Sequence, residues 1–523
     1  MDLRVVAFEA WNITRFIFVT NKRREIAGAS ELITYLDRRW AHQALRKLYS
    51  GYDDSWRIED HPVELLTAGA GAVKVLVRDE LMARQLVTEV TVAALRGAPG
   101  LDVYGHVGQP FAWDDQAALD SAVQNAVAGL NIARGSRPGP DARFLRLPIS
   151  ENCVTTGLPA AVEDLRYGEK TVRSAESIAK AFAYGQTNEG DGLARLAELA
   201  GISPRELRQV VEYLQDRADW VAVIYVDGNG LGDVFGHFTD LVAGSSARAF
   251  ADTLRTFTEG LDQCAREALA EAVATIRTVS ADPDRDWVAP VLPLVLGGDD
   301  VVLLCDGRIA LQLSAAFLRA YERRTAGVES VVGPLQNSKR RRLSASAGVA
   351  IVKAHHPFES AARLAYDLLL EAKEVKSHAR AQPCSALAFH MLFDSTDVRL
   401  DRLRNKGLSM QPYVVSDDID VDHDWVRGRR WADLSRRVEA INARDEDGER
   451  LLPATQLHDL RSALFAGAQV ADGRLANLLP RYRERGLSEL CGDEDSLFWT
   501  NQAGNKSTAL LDAMDAASFW GES

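Results

Sequence analysis

Three aspartates stand where the chain turns between apolar segments, and their spacing would suit a metal ion and a polyphosphate. Asp227 ends the apolar segment VAVIYV and is followed by the glycine-rich turn GNGLG. Asp299 and Asp300 follow Gly297 and Gly298 between two further apolar segments. A carboxylate at a strand end beside glycines can approach a metal ion and phosphates without obstruction by side chains. Magnesium prefers a few carboxylates together with substrate phosphates, so acids on two adjacent strands suit it.

A structural interpretation of the same motifs stays open, because aspartate and glycine are also the commonest residues of tight turns. Alternation along a strand would send Asp299 and Asp300 to opposite sides, so the two need not share one role. About 70 residues separate the two motifs, which leaves room for the crossover helix that would make their strands neighbours. The joint pattern favours a catalytic site over two unrelated turns.

Two stretches of the chain share one order of predicted elements, which indicates an internal duplication. Each begins with an apolar strand, continues through a long amphipathic helix and reaches a hairpin centred on glycines. The hairpin is VELLTAGAGAVKVLV in the first copy and VLPLVLGGDDVVLLC in the second, which continues with the strand LSASAGVAIV and a further helix. This order predicts an α+β fold, with antiparallel sheets and helices on one face in the ferredoxin-like arrangement.

The segments around the two copies divide the chain into four predicted domains. The polar segment GSRPGPDAR is typical of a linker, and helices are predicted between it and the second copy. Beyond residue 395 the pattern is mainly helical. The predicted domains are 1–135 for the first copy, 136–220 for a linker and helical domain, 221–395 for the second copy and 396–523 for a C-terminal helical domain.

The composition is that of a folded, soluble protein, with 523 residues of which 46% are hydrophobic and 26% charged. No apolar run approaches the roughly 20 residues of a membrane span and no secretion signal is recognised, so we expect a cytoplasmic protein without a membrane partner. The net charge of -13 argues against a surface that wraps nucleic acid. The densest basic run, residues 339–342, is expected to be a solvated hairpin loop.

The combined motifs resemble the large polymerase-like subunit of type III CRISPR effector complexes, especially shorter stand-alone relatives that keep two palm domains. The similarity lies in FIFVTNKRREIAGASELI, NCVTTGLPA, YVDGNGLGDVF, LGGDDVVLL, SASAGVAIVKAHHPF and the helix ending in EAK. The resemblance implies two palm domains of the GGDEF-cyclase and polymerase type that face each other. Members of this family join ATP molecules 3′ to 5′ into cyclic oligoadenylate messengers in antiviral defence.

The resemblance also implies roles for residues of the second copy. The implied catalytic residues and ligands of Mg²⁺ or Mn²⁺ are Asp227, Asp299 and Asp300. The implied nucleotide-binding residues of this copy are Gly228, Gly297, Gly298 and Lys373. The glycines would let phosphates approach, and Lys373 in the EAK motif would contact the triphosphate. For Lys373 the role of a solvated helix lysine is the alternative.

The hairpin of the first copy reads TAGAGAV, without an acid, so it can shape a pocket but is not expected to hold a metal ion. The resemblance implies that Gly28, Ala29 and Ser30 begin a helix at the junction of the copies. Backbone N–H groups and the serine hydroxyl would bind the phosphates of a second nucleotide there. An ordinary serine N-cap is the alternative. The copies would then provide a donor and an acceptor site within one chain.

The sequence departs from the family pattern in three respects. Larger members carry an N-terminal nuclease of the HD type, whereas this chain opens with the palm, so DNase activity is not expected. NCVTTGLPA retains Cys153 without a partner cysteine, which argues against structural zinc. The DGDN turn of relatives reads DGNG, with Asn229 in place of an acid, which leaves a second metal ion in question.

The predicted reaction is attack of a 3′-hydroxyl on the α-phosphorus of a nucleoside triphosphate, ATP by resemblance, with release of pyrophosphate. RNA or CRISPR-type effector subunits are the further partners that the resemblance implies. One alternative is a non-catalytic subunit that only binds nucleotide or RNA. The other is a diguanylate cyclase of the GGDEF type, against which the GGDD signature and the double palm count.

Overall fold

A computed structural model describes the chain. It covers residues 2–136, 138, 140–144, 147–164, 171–185, 192–280, 288–337, 340–380, 382–393 and 408–520. Within these ranges, no helix combines the length and apolar character that a membrane crossing requires.

The first unit, residues 2–136, is built on an antiparallel sheet in the order β2-β3-β1-β4, with β5 paired to β1. Its strands are β1 (Asp2–Trp11), β2 (Val63–Gly69), β3 (Ala72–Val77), β4 (Asp102–Val107) and β5 (Phe111–Ala112). Its helices are α1 (Ile13–Phe18), α2 (Arg23–Tyr35), a π-helical turn (Leu36–Trp40), α3 (Ala41–Leu48), α4 (Glu80–Gly97) and α5 (Gln116–Ser136). Because side chains alternate along β1, Val6 and Phe8 pack towards α2 and α4 while Leu3 and Val5 pack on the side of α5.

A mainly helical segment connects the first unit to the second. It contains α6 (Pro140–Arg143), β6 (Val162–Asp164), β7 (Thr171–Arg173), α7 (Ala175–Gly185), α8 (Gly192–Leu199) and α9 (Pro204–Asp216). Ser203 and Glu206 form a capping box that begins α9, with Pro204 at the first helical position.

The second unit, residues 220–414, has a six-stranded sheet in the order β13-β12-β11-β8-β10-β9. Its strands are β8 (Trp220–Gly228), β9 (Val291–Gly297), β10 (Asp300–Asp306), β11 (Ala345–Lys353), β12 (Ala386–Leu392) and β13 (Tyr413–Val414). Its helices are α10 (Leu231–Gly236), a 3-10 turn (Phe238–Leu241), α11 (Ala247–Ser280), α12 (Ala310–Gly327), α13 (Glu329–Asn337), α14 (Phe358–Ala372) and α15 (Val375–His378).

The C-terminal region is largely helical and packs on the core that contains α11 and α12. It comprises α16 (His423–Val426), α17 (Trp431–Asn442), α18 (Ala454–Ala466), α19 (Ala468–Tyr482), 3-10 turns (Arg483–Arg485 and Leu487–Leu490), β14 (Trp499–Thr500), β15 (Lys506–Ser507) and α20 (Leu510–Ala517). The Tyr413 hydroxyl of β13 donates to Asp512 of α20 at 3.0 Å, which ties this region to the second sheet.

The two units repeat one topology, because β9-β10-β8-β11 of the second sheet matches β2-β3-β1-β4 of the first. The predicted α+β, ferredoxin-like fold is therefore confirmed, with two corrections. The pair β11–β12 is parallel, because β12 follows the crossover helix α14. The second sheet also carries helices on both faces, since Ala222 packs with α11 and α12 while Val223 packs with α14.

The predicted helix start at Gly28 is wrong, because α2 begins five residues earlier, at Arg23. The backbone N–H of Arg23 is capped by the side chain of Gln215 at 3.1 Å, and Gln215 belongs to the distant helix α9. Gly28 lies inside α2, where an ideal Cβ would be 1.8 Å from the backbone oxygen of Lys180. Gly28 therefore allows close packing of α2 on α7.

A methyl group at Gly28 should destabilise the protein. We expect Gly28→Ala to lower the free energy of unfolding by about 1–3 kcal/mol, because it overpacks a backbone contact. Gly473→Ala is the control, since Gly473 lies in α19 with no atom within 4 Å of an ideal Cβ. That change should raise stability by about 0.5–1 kcal/mol through helix propensity. Urea unfolding measures both, and an equal effect of the two changes would contradict this account of Gly28.

Candidate active site

Asp227 lies near the end of the central strand β8 and forms an ion pair with Lys373, with 2.6 Å between Lys373 Nζ and Asp227 Oδ2. Lys373 is the residue that caps the C-terminus of α14. Gly348 of β11 brings α14 close to the sheet, since an ideal Cβ at Gly348 would be 2.0 Å from the backbone oxygen of Ala365. Lys373, which is predicted to contact the triphosphate, is thus placed beside Asp227 by close helix–sheet packing.

The GGDD hairpin places its two acids beside Asp227. Gly298 takes a φ of 60° in the two-residue loop, the positive value that glycine provides at no steric cost. Val301 pairs with Val226, so the preceding residue of β10, Asp300, lies opposite Asp227 on the same face of the sheet. Asp299 lies in the loop, and its Oδ2 is 3.0 Å from the position of an ideal Cβ at Gly228. The glycine beside Asp227 therefore makes room for the Asp299 carboxylate.

The three acids disfavour one another's charged forms. Burial raises the pKa of Asp299 to about 6, with repulsion from Asp227 as the second cause. Asp300 is exposed to water, but the surrounding protein still disfavours its charge and raises its pKa to about 7, with added repulsion from Asp299 and Asp227. Lys373 opposes both shifts. The site is thus rich in negative charge that one lysine compensates incompletely.

The residues fit a metal ion only in part. In the described ranges, no group of three or more His, Cys, Asp and Glu side chains is arranged to hold a metal ion. Asp227 and Asp299 could contribute two carboxylates, the number that Mg²⁺ commonly takes when phosphates supply further ligands. The donor chemistry is therefore compatible with a metal ion that arrives with a nucleotide.

Asn229 belongs to a buried hydrogen-bond network. Its amide donates to Ser344 Oγ and to the backbone oxygen of Cys384, each at 3.1 Å, and it accepts from Ser346 Oγ at 2.9 Å. These contacts join the end of β8 to the beginnings of β11 and β12. Asn229 therefore acts as a structural residue in the position where the resemblance led us to expect an acid.

Two further cations lie near the site, and no sequence motif marks either of them as a site residue. Arg340 Nη1 donates to the backbone oxygen of Gly230 at 3.4 Å, in the turn after Asp227. Lys376 is exposed one turn beyond Lys373, and its pKa is lowered by burial and by repulsion from Lys373. Arg340 corrects the expectation that the whole basic run is solvated, while Lys339 lies outside the described residues.

The hairpins of the two units pack directly against each other. An ideal Cβ at Gly297 would be 2.6 Å from Ala70 Cβ, and Ala70 itself has a φ of 53°. Asp262 of α11 accepts a hydrogen bond from the backbone N–H of Gly298, and its Oδ2 is 2.8 Å from an ideal Cβ at Gly69. Asp262 therefore secures the GGDD hairpin against the first unit. No motif marked this residue, because its contacts join distant segments.

The predicted phosphate-binding residues of the first unit do not form an open site. Ala29 and Ser30 are buried inside α2, as is Gly28. Ser30 Oγ donates to the backbone oxygen of Leu294 in β9 and accepts from Arg195 Nη2 at 3.1 Å. These residues join the two units, and their backbone N–H groups lie within the helix instead of at its beginning. The sequence prediction placed the start of α2 at Gly28, which would have left these N–H groups free to bind phosphate. Because α2 begins at Arg23, they are not free.

An antiparallel ferredoxin-like sheet with acids at its central strand and adjoining hairpin is the arrangement of a palm domain. Residues 220–381 match the family model described as Cas10/Cmr2, second palm domain. The resemblance seen in the sequence is thereby confirmed for this segment, which is similar to the second palm domain of Cas10/Cmr2.

Solved structures support the fold over most of the chain. A crystal structure of a Csm1-Csm4 cassette in complex with cA3 has a TM-score of 0.54 and 12% identity, and the match covers 100% of this chain and 70% of that one. The same cassette in complex with cA4 gives 0.51 and 10%, with the same coverage. Csm1 from T. onnurineus gives 0.50 and 13%, covering 94% of this chain and 65% of that one. Against the apo Csm1-Csm4 cassette, the chain spans 54% of the matched chain. No curated protein matches.

Acid should stabilise the metal-free protein. Asp299 and Asp300 retain protons in the folded state up to higher pH than the unfolded chain, whose aspartates titrate near pH ~4. The free energy of unfolding should therefore fall as pH rises from about 4 to 7. Asp299→Asn should flatten this slope, while Glu359→Gln at the far end of α14 should retain it. Urea unfolding in the presence of a chelator at several pH values measures the slopes, and a wild-type slope in Asp299→Asn would contradict the crowding of acids.

Removal of the Asp262 carboxylate should loosen the hairpin contact. Asp262→Ala leaves the Gly298 N–H unpaired and should lower the free energy of unfolding by about 1–3 kcal/mol. Asp262→Asn retains an acceptor and removes a carboxyl whose pKa is raised by burial, so it should be no less stable than wild type at neutral pH. Urea unfolding of both variants measures the difference. Equal losses would show that the hydrogen bond to Gly298 contributes nothing.

Proposed function

We propose that this protein joins nucleoside triphosphates, ATP in the first instance, by 3′–5′ phosphoryl transfer into a cyclic oligonucleotide messenger. The observation that carries the proposal is the grouping of Asp227, Asp299 and Asp300 beside Lys373 in the segment that matches the Cas10/Cmr2 palm. The similar cassettes were crystallised with cA3 and cA4, which supports adenine nucleotides as the substrate class. Antiviral signalling and association with effector subunits follow from the same likeness.

The chain's own groups suit the binding of a triphosphate. Lys373 and Lys376 lie near the acids and Arg340 contacts the turn after Asp227, and a phosphate chain can replace Asp227 as the partner of Lys373. Gly228 leaves room for the Asp299 carboxylate beside Asp227. A bound Mg²⁺ or Mn²⁺, held by Asp227 and Asp299 with Asp300 beside them, would neutralise the charge that develops on the phosphates and the attacking oxygen.

The reaction forms a bond between a 3′-oxygen and an α-phosphorus and breaks the bond from that phosphorus to the pyrophosphate. The hydroxyl loses its proton to water or a carboxylate. The paired units contribute proximity, because they would hold the two nucleotides in one orientation.

A non-catalytic nucleotide-binding subunit is the second candidate, and two observations favour it. The described residues contain no metal-binding cluster of three side chains, and Lys373 already neutralises Asp227. Incubation with each labelled nucleoside triphosphate and Mg²⁺ or Mn²⁺, followed by mass identification of products, separates the candidates. Nucleotide binding without any product would favour the second.

Nucleotide should stabilise the protein through the three acids. Mg-ATP at a hundredfold excess over Kd should add about 2.7 kcal/mol to the free energy of unfolding. Asp299→Ala should remove most of this response and the turnover, without lowering the stability of the free protein, because one repelling charge is lost. Asp227→Ala should likewise remove the response. Thermal melts with and without Mg-ATP measure these effects.

Glu359→Ala is the matched control for these melts, since Glu359 is an exposed acid at the opposite end of α14 from Lys373. It should retain both the nucleotide response and the turnover. A nucleotide response that survives both aspartate substitutions would refute the proposed site.

A further inference from the structure

The C-terminal region contains an open cavity whose lining includes none of the candidate active-site residues. Its volume is about 450 Å³, which lies within the range of roughly 300–1,000 Å³ that is typical of small-molecule sites. The lining residues come from α16, from the turn between α16 and α17, from the first turn of α17 and from β14. Elements distant in the chain therefore meet around one concave surface.

The β14 wall of the cavity is held in place from behind. Trp499 lines the cavity, and the buried Arg437 lies over its ring, with 4.6 Å between the guanidinium carbon and the ring centroid. Arg437 Nη1 also donates to the backbone oxygen of Gly428 at 3.0 Å. An ideal Cβ at Gly428 would be 2.9 Å from Trp499 Cε2, so a glycine at this lining position lets the backbone pack on the indole.

The α16 wall is fixed by contacts with the second unit. Asp422 caps α16, because its side chain accepts from the backbone N–H groups of Asp424 and Trp425. The backbone N–H of Asp422 donates to the backbone oxygen of His378 in α15 at 3.0 Å. The rings of Trp425 and His378 are stacked, with 4.3 Å between their centroids. Since the walls are already ordered, a ligand would bind here at little cost in conformational entropy.

The lining carries cationic and hydrogen-bonding groups that are not in use. Arg430 is exposed, and in the part of the chain that the structure describes its guanidinium makes no hydrogen bond or ion pair. The imidazole of His423 is likewise exposed and without a partner among these residues. Arg427, in contrast, is paired with Asp493. A guanidinium and an imidazole can both donate to phosphate oxygens, so this side of the cavity suits a phosphate group.

Two acids of the lining retain free acceptor oxygens. Asp424 accepts from Gln502 through Oδ2, and Asp433 accepts from Arg436 through Oδ1 at 2.6 Å. Within the described ranges, the second oxygen of each carboxylate accepts no hydrogen bond. These oxygens would repel a bare anion, but they can accept from hydroxyl and amino groups. The lining therefore fits a ligand that combines a phosphate with several hydrogen-bond donors and a planar ring.

We propose that this cavity binds a nucleotide, with its phosphate on Arg430 and His423 and its base beside Trp499. The ribose hydroxyls and the polar edge of the base then lie within reach of the two carboxylates. Aromatic side chains and arginines are the groups on which nucleobases stack, and such a contact tolerates any base. The proposal concerns a site separate from the three acids of the second unit and does not depend on the proposed function.

Equilibrium dialysis with AMP, GMP, CMP and UMP in the presence of a chelator tests the proposal. At least one of them should bind at one site per chain, and Asp299→Ala should retain this binding, because the acids of the second unit take no part in it. Arg430→Gln should weaken it by about ten- to a hundredfold, the loss expected for hydrogen bonds to a charged group. The matching nucleoside and ribose 5-phosphate should each bind about tenfold more weakly than the nucleotide, since each lacks a recognised group.

Arg474→Gln is the matched control, because Arg474 is an exposed arginine of α19 that lies outside the lining. It should bind the nucleotide with wild-type affinity. Photolabelling of the wild type with an azido derivative of the bound nucleotide gives a readout that requires no variant to fold. Mass analysis of the labelled peptides should place the label within residues 423–433 or at Trp499.

Three results would overturn the proposal. The first is that none of the four nucleotides binds, or that the label lies only in other parts of the chain. The second is wild-type affinity in Arg430→Gln. The third is equal binding of ribose 5-phosphate and the nucleotide, which would show an anion site that does not recognise a base. None of these results bears on the nucleotidyl transfer proposed for the second unit.

Discussion

The contact between the two hairpins is the constraint on which the rest of the site depends. Gly297 faces Ala70 at a distance that leaves no space for a Cβ, and Ala70 adopts a left-handed conformation that costs a non-glycine residue about 1–2 kcal/mol. Asp262 adds a hydrogen bond to Gly298. Because each hairpin adjoins the central strand of its sheet, this contact sets how closely the ends of β1 and β8 approach. The contact between the hairpins therefore also determines the distance between the acids at the ends of β1 and β8.

The hydrophobic core makes this arrangement rigid. One buried cluster contains Val5 of the first unit, Ile224 of the second and Leu434 of the C-terminal region. Another joins Phe8 of the first unit to Val223 on the opposite face of the second sheet. Since apolar burial is shared across the units, neither can rotate without exposing the surface that stabilises both. The proposed phosphoryl transfer would require such a fixed relation between its two reactants.

The two units share a topology but differ in charge. The second unit concentrates acids whose ionisation is disfavoured, which suits a cation that arrives with phosphates. The first unit has Gly71 and Ala72 at the corresponding hairpin positions, and Glu9 of its central strand forms an ion pair with Arg134. Under the proposed function, this asymmetry would give the two units unlike roles, with the acids of the second unit as the reactive group.

The sequence by itself determined the elements whose signals are local. The apolar strand before Asp227, the hairpin around Gly298 and the repeated element order were all predicted, because alternation and turn chemistry depend on neighbouring residues. Only the tertiary structure decided where α2 begins, since its cap comes from Gln215, and that β12 pairs in parallel. It likewise decided the partners of Asp262. These features depend on contacts between segments far apart in the chain, and no local pattern of residues encodes such contacts.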